Sequence, residues 1–245
     1  MIDALVISID EPQLDRCLKA VHGQPFLRVI HVNGIIPESE AVNHALKRVS
    51  SEWVMKVDGD IILYPNALET VMKYMEKDLS PQVCGYYFGL KDTFMDCDIG
   101  FCGVLRTQPY QSVKRKDKMN GDLNVVIELR KQGWFVRKLL KEGIIIGTHF
   151  DKPDEFQVFG RFYRSGKRAD DNTFEINQLT GLLGKTGDPL YQLALDAIQF
   201  AKFKERYYIG SRNIDFDKKL FEEFKNEDIR RYCHPELSRS SQAAG

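Results

Sequence analysis

The sequence predicts an α/β fold in which helices flank a mostly parallel sheet and a helical C-terminal extension follows. Short apolar runs alternate with helical patterns through the first third of the chain, which is typical of strands joined by crossover helices. Beyond residue 170 the remaining apolar patterns have helical spacing, near residues 190–207 and 216–232. With 245 residues, 43% of them hydrophobic, the chain is long enough to bury a large core.

Three strands and three helices are predicted in the first third. Apolar, β-rich runs place the strands at residues 5–9, 28–32 and 53–57. Helical spacing of apolar residues places the helices at residues 13–21, 39–49 and 65–75. Ser39 is a candidate cap of the second helix, and Asn33 and Gly34 close the second strand as a turn.

The middle of the chain predicts further strands around one helix. The strands are expected at residues 83–88, 103–106, 134–139 and 144–148. The helix begins at Gly121 and Asp122 and ends at Gly133, because glycine favours the conformation of a helix C-terminus. Residues 150–171 mix charged and aromatic side chains and are predicted as a loop, and residues 238–245 as a disordered tail.

Charge and cysteine content narrow the class of protein. Thirty-five basic residues balance thirty-five acidic ones, so no global field draws the chain to nucleic acid or to an anionic membrane. Five cysteines without a Cys-x-x-Cys pair argue against a disulfide framework and a structural zinc site. The chain begins without a leader, and no apolar run is long enough to span a bilayer, so a cytoplasmic location is expected.

Asp58 and Asp60 are the strongest candidates for chemistry. They follow a predicted parallel strand, at the edge where open α/β sheets bind ligands. In an extended chain a spacing of two puts both carboxylates on one side, and Gly59 between them allows a ligand to approach closely. Such oxygens suit Mg²⁺ or Mn²⁺, with phosphate and water completing the coordination. The alternative is that these three residues are only a polar turn after a strand.

Residues 4–75 resemble the nucleotide-binding half of glycosyltransferases with the GT-A fold, particularly the inverting family 2. The shared features are the strand–helix–strand order, an Ala-x-Asn in the second helix ending at Asn43, and a strand that runs into Asp-x-Asp at Asp58 and Asp60. The resemblance implies a nucleotide-sugar-binding and catalytic domain over residues 1–170 and a helical extension over residues 171–237.

The resemblance continues to about residue 150. Gly121-Asp122 and the Leu-Arg-x-x-Gly-aromatic pattern of residues 129–134 are similar to the family's acidic helix start and helix ending. By that similarity Asp122 is the catalytic base that deprotonates an acceptor hydroxyl, with inversion at the anomeric carbon. The alternative is that Asp122 only caps the helix, although a capping carboxylate can do both.

His149 follows the apolar run of residues 144–148, where many relatives have a histidine that completes metal or diphosphate binding. Imidazole is softer than the ligands that magnesium prefers, but manganese accepts it. A lone histidine after a strand is otherwise usually structural. The resemblance therefore implies a metal set of Asp58, Asp60 and His149.

The resemblance also implies a wider set of residues that bind the nucleotide sugar: Asp10, Asn33, Asn43, Asp58 and Gly100. Composition adds Arg161 and Arg164, which lie beyond the stretch that the resemblance covers. Gly100 lies in a glycine-rich segment, residues 98–103, that resembles the family's donor-pocket loop, although its glycines could be strand breaks. Arg161 and Arg164 belong to a segment, residues 161–168, whose basic composition is typical of a phosphate-clamping loop. The alternative is a solvated basic loop. Asn33 replaces the acidic residue usual in relatives, so the nucleobase is poorly specified.

The function implied is inverting transfer of a sugar from a nucleoside-diphosphate sugar, with a UDP-sugar expected, to a hydroxyl of a saccharide, lipid-linked or other acceptor. The cofactor is Mn²⁺ or Mg²⁺, and no nucleic acid partner is expected. One alternative is a sugar nucleotidyltransferase, which calls for a basic glycine-rich loop where residues 8–12 are acidic instead. The other is a non-catalytic binding protein of the same fold, which the joint presence of the candidate site residues disfavours.

Overall fold

The structure is a computed structural model that describes residues 1–9, 11–77, 80–116, 121–168, 172–203 and 214–226. These residues divide into two compact units, one formed by Met1–Lys152 and the other beginning at Pro153. No helix within the described ranges is long and apolar enough to cross a membrane.

A single sheet runs through the first unit, and the described residues contribute eight strands to it. The strands are β1 (Ile2–Ser8), β2 (Arg28–Asn33), β3 (Trp53–Asp58), β4 (Ile61–Leu63), β5 (Val83–Asp92), β6 (Cys97–Arg106), β7 (Phe135–Lys138) and β8 (Ile145–His149). Their order is β2-β1-β3-β6-β5-β8-β4, with β7 beside the first half of β5.

The α/β class is confirmed, and the sheet is mixed rather than purely parallel. β1 runs parallel to β2 and β3, whereas β6 is antiparallel to both β3 and β5. Only the short turn of residues 93–96 joins β5 to β6, and so short a connection forces neighbouring strands to run antiparallel. β8 is parallel to β5 and antiparallel to β4.

Helices cover both faces of this sheet: α1 (Leu14–His22), α2 (Glu38–Leu46), α3 (Ala67–Lys77), α4 (Thr107–Ser112) and α5 (Gly121–Lys131). Alternation along β1 sends Ala4 and Val6 to one face and Leu5 and Ile7 to the other. The first pair packs with apolar residues of α1 and α3, and the second pair with those of α2 and α5. The buried strands are apolar on both sides because both faces are covered.

The second unit is helical and contains α6 (Glu155–Arg168), α7 (Thr173–Thr186), α8 (Pro189–Phe203) and α9 (Ile214–Asn226). Its core is aromatic: the ring centroid of Phe159 lies 6.1 Å from that of Phe200 and 4.8 Å from that of Phe224. Gly166 lets α6 approach α8, since a Cβ there would lie 2.8 Å from the Cβ of Ala201.

The loop predicted for residues 150–171 is wrong, because most of it forms α6. Val158, Phe159, Phe162 and Tyr163 are buried at helical spacing, which gives the segment an apolar face despite its many charges. The division between units accordingly falls after Lys152, whereas the sequence placed a boundary after residue 170. The predicted tail, residues 238–245, lies outside the described residues.

Candidate active site

Polar side chains gather where β1, β2 and β3 reach their carboxyl ends. β3 ends at Asp58, which pairs with Ile7 of β1, and the next β1 residue, Ser8, pairs with Asn33 at the end of β2. Parallel neighbours end at a common edge of the sheet, so the predicted placement of Asp58 at a ligand-binding edge agrees with the topology.

A buried lysine stands next to Asp58. Lys56 lies in β3 with only 9% of its side chain exposed, and its Nζ is 2.6 Å from Asp58 Oδ1. The same Nζ lies 3.1 Å from Glu38 Oε1 and 3.7 Å from Asp122 Oδ2. Burial opposes its charge, but the carboxylates of Asp122, Asp58 and Glu38 outweigh burial and raise the pKa of Lys56 well above its ordinary value.

Arg115 is the second cation of this cluster. Its Nη1 lies 2.7 Å from Asp122 Oδ1 and its Nη2 lies 2.9 Å from Glu38 Oε1. The side-chain amide of Asn43 holds the Arg115 backbone, accepting from its N–H at 3.0 Å and donating to its carbonyl at 2.8 Å. A Cβ at Gly121 would lie 2.7 Å from Nη2, so the glycine lets the guanidinium sit at the start of α5.

Asp122 therefore lies between two cations in the first turn of α5. Burial alone would raise its pKa, but Lys56 and Arg115 lower the pKa of Asp122 to about 2. The group is a carboxylate throughout the physiological pH range. It is available as a hydrogen-bond acceptor, and its Oδ1 already accepts a hydrogen bond from Arg115.

Asp58 has the opposite shift. Burial, together with the neighbouring carboxylates of Glu38, Asp122 and Asp60, raises the pKa of Asp58 to about 6 even though Lys56 acts to lower it. Such a carboxylate gains more than usual from a cation, since any added positive charge favours its ionised form.

Asp60 has different neighbours from Asp58. Its Oδ2 lies 3.5 Å from Nε2 of His149, whose Nδ1 lies 3.1 Å from Oδ2 of Asp92. β3 ends at Asp58, and Gly59 and Asp60 form a turn before β4, so the extended conformation assumed from the spacing does not hold through Asp60. The turn directs Asp60 toward β8 while Asp58 faces Lys56.

Gly59 is required by the approach of the chain itself. A Cβ there would lie 2.9 Å from the Cβ of Ser8 and 2.6 Å from Oε2 of Glu11. That Glu11 oxygen accepts a hydrogen bond from the N–H of Ile9 at 2.8 Å. The sequence predicted that Gly59 allows a ligand to approach closely. In the structure the segment after β1 makes that close approach.

Asp60 and His149 could supply two ligands to a divalent cation, but they do not form a complete ligand set. Within the described part of the chain no group of three or more His, Cys, Asp or Glu side chains is arranged to hold a metal ion. Asp58 contributes one oxygen to Lys56 and keeps 40% of its side chain exposed. Two protein ligands can be enough for Mg²⁺ or Mn²⁺, which usually bind through one or two carboxylates and complete their coordination with substrate phosphates.

The remaining predicted donor-binding residues of the first unit have structural partners or lie elsewhere. Asn33 Oδ1 accepts a hydrogen bond from Ser8 Oγ at 2.8 Å. Gly100 belongs to β6, so the loop predicted for residues 98–103 is wrong. A Cβ at Gly100 would lie 2.9 Å from a methyl carbon of Leu140. Asp10 lies outside the described residues.

Arg161 and Arg164 belong to α6 of the second unit. Arg164 pairs with Asp217 of α9, and the guanidinium of Arg161 lies 5.2 Å from the ring centre of Phe162. They are therefore on a helix and not in the basic loop that the composition predicted. A role in binding phosphate stays a prediction for both.

Sequence reasoning missed Lys56, Glu38, Arg115 and Asp92. A signal existed for Lys56, since a lysine between Met55 and Val57 in a central strand has to be buried and therefore paired. Glu38 and Arg115 come from distant parts of the chain, and no local pattern connects them.

No protein-family model and no curated protein sequence matches the chain. The chain is, however, similar in structure to proteins whose structures have been solved. A mannosyltransferase from Pyrobaculum calidifontis, in complex with GDP-Man and Mn²⁺, has a TM-score of 0.50 at 11% identity and covers 82% of this chain and 70% of its own. Glucosyl-3-phosphoglycerate synthase from Mycobacterium tuberculosis, with phosphoglyceric acid, has a TM-score of 0.49 at 9% identity, over 77% and 81%.

The bifunctional IspDF of Campylobacter jejuni has a TM-score of 0.41 at 12% identity and covers 56% of this chain. The matched region spans about half of that protein's length, at 48%. The assignment of the fold rests on the mannosyltransferase, whose TM-score of 0.50 is the highest of these three. Strand order, mixed sheet and this likeness agree with the resemblance found in the sequence, and the chain has the GT-A fold.

Proposed function

We propose that this chain is an inverting glycosyltransferase. It moves a sugar from a nucleoside-diphosphate sugar, with a UDP-sugar as the expected donor, to the hydroxyl of an acceptor, with Mn²⁺ or Mg²⁺ as cofactor. The observation that carries the proposal is the gathering of Asp58, Asp60, Asp122 and His149 at the carboxyl edge of a GT-A sheet. The GDP-Man and Mn²⁺ bound by the similar mannosyltransferase structure support this choice.

The charge balance of the cluster favours a cation. Three carboxylates, Glu38, Asp58 and Asp122, surround two cations, Lys56 and Arg115, and Asp60 adds a further carboxylate nearby. In a partly desolvated edge such an excess of negative charge attracts a dication more strongly than it would in open water. Without a cation, the same excess would repel a diphosphate.

Asp60 and His149 would hold the cation, while Asp58, which contacts Lys56, would attract it through its negative charge. When bound, the cation supplies Lewis-acid stabilisation of the departing nucleoside diphosphate. His149 is acceptable to Mn²⁺ and less so to Mg²⁺, so Mn²⁺ is the expected preference. Lys56 holds Asp58 and Asp122 near each other without their full repulsion.

Asp122 is the proposed base. The acceptor oxygen forms a bond to the anomeric carbon while the bond from that carbon to the phosphate oxygen breaks, and the hydroxyl proton passes to a carboxylate oxygen of Asp122. Attack from the face opposite the leaving group inverts the configuration. Lys56 and Arg115 hold the carboxylate in place, and no covalent enzyme intermediate is needed.

A turnover assay tests the proposal. Nucleoside diphosphate release is measured with Mn²⁺ over a panel of nucleotide sugars headed by UDP-glucose and GDP-mannose, with and without simple saccharide acceptors. Sugar release or transfer supports the proposal. Pyrophosphate release from a nucleoside triphosphate and a sugar phosphate would assign a nucleotidyltransferase, and donor binding with no turnover would assign a binding protein.

Asp122→Asn separates base catalysis from binding. We expect kcat to fall by about 100-fold or more, because a positioned base contributes on the order of 10² to 10⁴. Donor affinity should stay within a few-fold, since the proposed cation ligands are intact. Asp15→Asn, at an exposed position of α1, is the matched control. Unchanged kcat in Asp122→Asn would remove Asp122 from the mechanism.

A further inference from the structure

His149 lies between two carboxylates that belong to different strands and turns. Its Nδ1 is 3.1 Å from Oδ2 of Asp92, and its Nε2 is 3.5 Å from Oδ2 of Asp60. The two aspartates differ in surroundings, since Asp92 is fully buried and the Asp60 side chain keeps 12% of its surface exposed. Asp92 is therefore the interior partner and Asp60 the more exposed one.

The position of Asp92 is fixed independently of His149. Its second oxygen, Oδ1, accepts a hydrogen bond from the N–H of Met95 at 2.8 Å, within the turn that joins β5 to β6. β5 and β8 pair in parallel with Asp92 opposite His149, and the N–H of Thr93 donates to the carbonyl of His149 at 3.2 Å. The carboxylate is thus rigid relative to the histidine backbone.

The ring itself is also held from the other side. Phe150 stacks on His149 with ring centroids 5.7 Å apart and an angle of 22° between the planes. Phe150 has φ of 58°, the left-handed region that a bulky residue rarely adopts, and its N–H donates to the carbonyl of Asp60 at 3.4 Å. A strained conformation of this kind persists only where its surroundings impose it.

The contact between Nδ1 and Asp92, at 3.1 Å, is a hydrogen bond, and the contact between Nε2 and Asp60 is longer, at 3.5 Å. An ionised carboxylate can only accept hydrogen bonds, so a neutral His149 places its hydrogen on Nδ1, toward Asp92. The lone pair is then on Nε2 and faces the acidic Asp60. Two lone pairs directed into one space repel each other unless a cation lies between them.

We propose that Asp92 is a positioning residue that fixes His149 in the tautomer whose Nε2 lone pair faces Asp60, where a divalent cation would bind both groups. The cation rests on the proposed function, whereas the tautomer does not. Partners of this kind hold the ring at the correct angle and raise its basicity, and their loss usually weakens metal binding 10- to 100-fold.

The tautomer is tested in metal-free protein by long-range ¹H–¹⁵N correlation spectra at mildly alkaline pH, with His149→Gln identifying the signal among five histidines. The native chain should show Nδ1–H. In Asp92→Asn the amide nitrogen can donate to Nδ1, so the proton should move to Nε2. Asp98→Asn, an exposed carboxylate on the same hairpin, should change nothing. An Nε2–H signal in the native chain, or an unchanged tautomer in Asp92→Asn, overturns the proposal.

Mn²⁺ affinity, measured by electron paramagnetic resonance of the free ion, tests the consequence. We expect Asp92→Asn to bind Mn²⁺ about 10- to 100-fold more weakly. The double variant Asp92→Asn/His149→Ala should bind no more weakly than His149→Ala, because Asp92 acts through the ring. A further tenfold loss in the double variant, or full affinity in Asp92→Asn, contradicts this role.

The two readouts separate this proposal from the proposed function. If the native chain fails to bind Mn²⁺ while the tautomer still depends on Asp92, the positioning role stands and metal dependence fails. Amide spectra and thermal unfolding of each variant show whether the fold is intact. Asp92→Ser, whose hydroxyl oxygen can accept a hydrogen bond within the same turn, provides a second variant should Asp92→Asn unfold.

Discussion

Lys56 has three carboxylate neighbours and almost no solvent, which makes it the residue on which the site's electrostatics depend. It contacts Asp58 and Glu38 at 2.6 and 3.1 Å and approaches Asp122 at 3.7 Å. Removing one member of a buried ion network leaves the others without compensation, and that cost usually exceeds what the intact pair contributes. The lysine therefore matters both for folding and for holding Asp122.

Lys56→Met keeps the apolar length of the side chain and removes the charge. We expect the free energy of unfolding to fall by about 3 kcal/mol, since breaking a buried ion pair from one side costs about 3 to 5 kcal/mol. Urea unfolding followed by circular dichroism measures it. Lys47→Met, at the exposed end of α2, is the matched control and should change stability by less than about 0.5 kcal/mol. Equal stability of the two variants would show that the network contributes nothing.

Asp122 should give the fold a pH dependence of known sign. Its pKa lies at about 2 in the folded chain, below the ordinary 3.8, so its ion pairs stabilise the fold fully above pH 3.8. That stabilisation, on the order of 2 kcal/mol, is lost as the pH falls from about 4 through 2. Asp122→Asn should therefore lose less stability over this range than the native chain does.

Urea unfolding at several pH values between neutral and acid checks this expectation. Asp15→Asn serves again as the control, because its side chain is exposed and it should follow the native curve. If the native chain and Asp122→Asn have parallel curves from pH 4 downward, Asp122 does not hold its ion pairs in solution.

At the scale of single elements, the turn between β3 and β4 depends on a close approach. A side chain at Gly59 would meet Ser8 and Glu11 at 2.9 and 2.6 Å, and the segment after β1 would have to shift. The same turn directs Asp60 toward His149. Packing of the turn and geometry of the proposed cation site are therefore linked.

Gly59→Ala should lower the free energy of unfolding by about 1 to 3 kcal/mol, the usual cost of overpacking. Gly23→Ala, at the end of α1, is the matched control, since a Cβ there meets only ordinary contacts at 3.4 and 3.5 Å. Thermal unfolding of both variants measures the difference. Gly59→Ala as stable as Gly23→Ala would mean that the segment after β1 moves aside without cost.

Elements with a clear period were predictable, and elements whose pairing depends on distant residues were not. β1, β2 and β3 follow from apolar runs, and α1, α2 and α3 from helical spacing. The insertion of β6 between β3 and β5 leaves no local trace, because the pairing of β6 with β3 joins distant parts of the chain. α6 was missed because its many charges obscured an apolar face that Phe159 and Phe162 define.

The candidate site was predictable in part for the same reason. Asp58 and His149 end strands, Asp60 lies in the turn after β3, and Asp122 lies in the first turn of α5; such positions can be read along the sequence. Their partners cannot: Asp92 reaches His149, and Arg115 reaches Glu38, only through the folded topology. The Ala-x-Asn motif predicted that Asn43 binds the donor, and the motif gave no sign of the hydrogen bonds that its side-chain amide makes with the backbone of Arg115.

At the scale of the molecule, the first unit contains all the contacts on which the proposed chemistry depends. Lys56, Asp58, Asp60, Asp122 and His149 lie within Met1–Lys152. The second unit has its own aromatic core and contains Arg161 and Arg164. The GT-A sheet therefore carries the proposed donor and cation site.

The central claim is that a divalent cation at this sheet edge binds the diphosphate of the donor. Calorimetric titration of UDP into the native chain, with and without Mn²⁺, tests it most directly. We predict binding that requires Mn²⁺ and that weakens at least about tenfold in Asp60→Asn, in line with loss of a metal ligand or its support. UDP affinity that is the same without Mn²⁺, or unchanged in Asp60→Asn, would contradict the account.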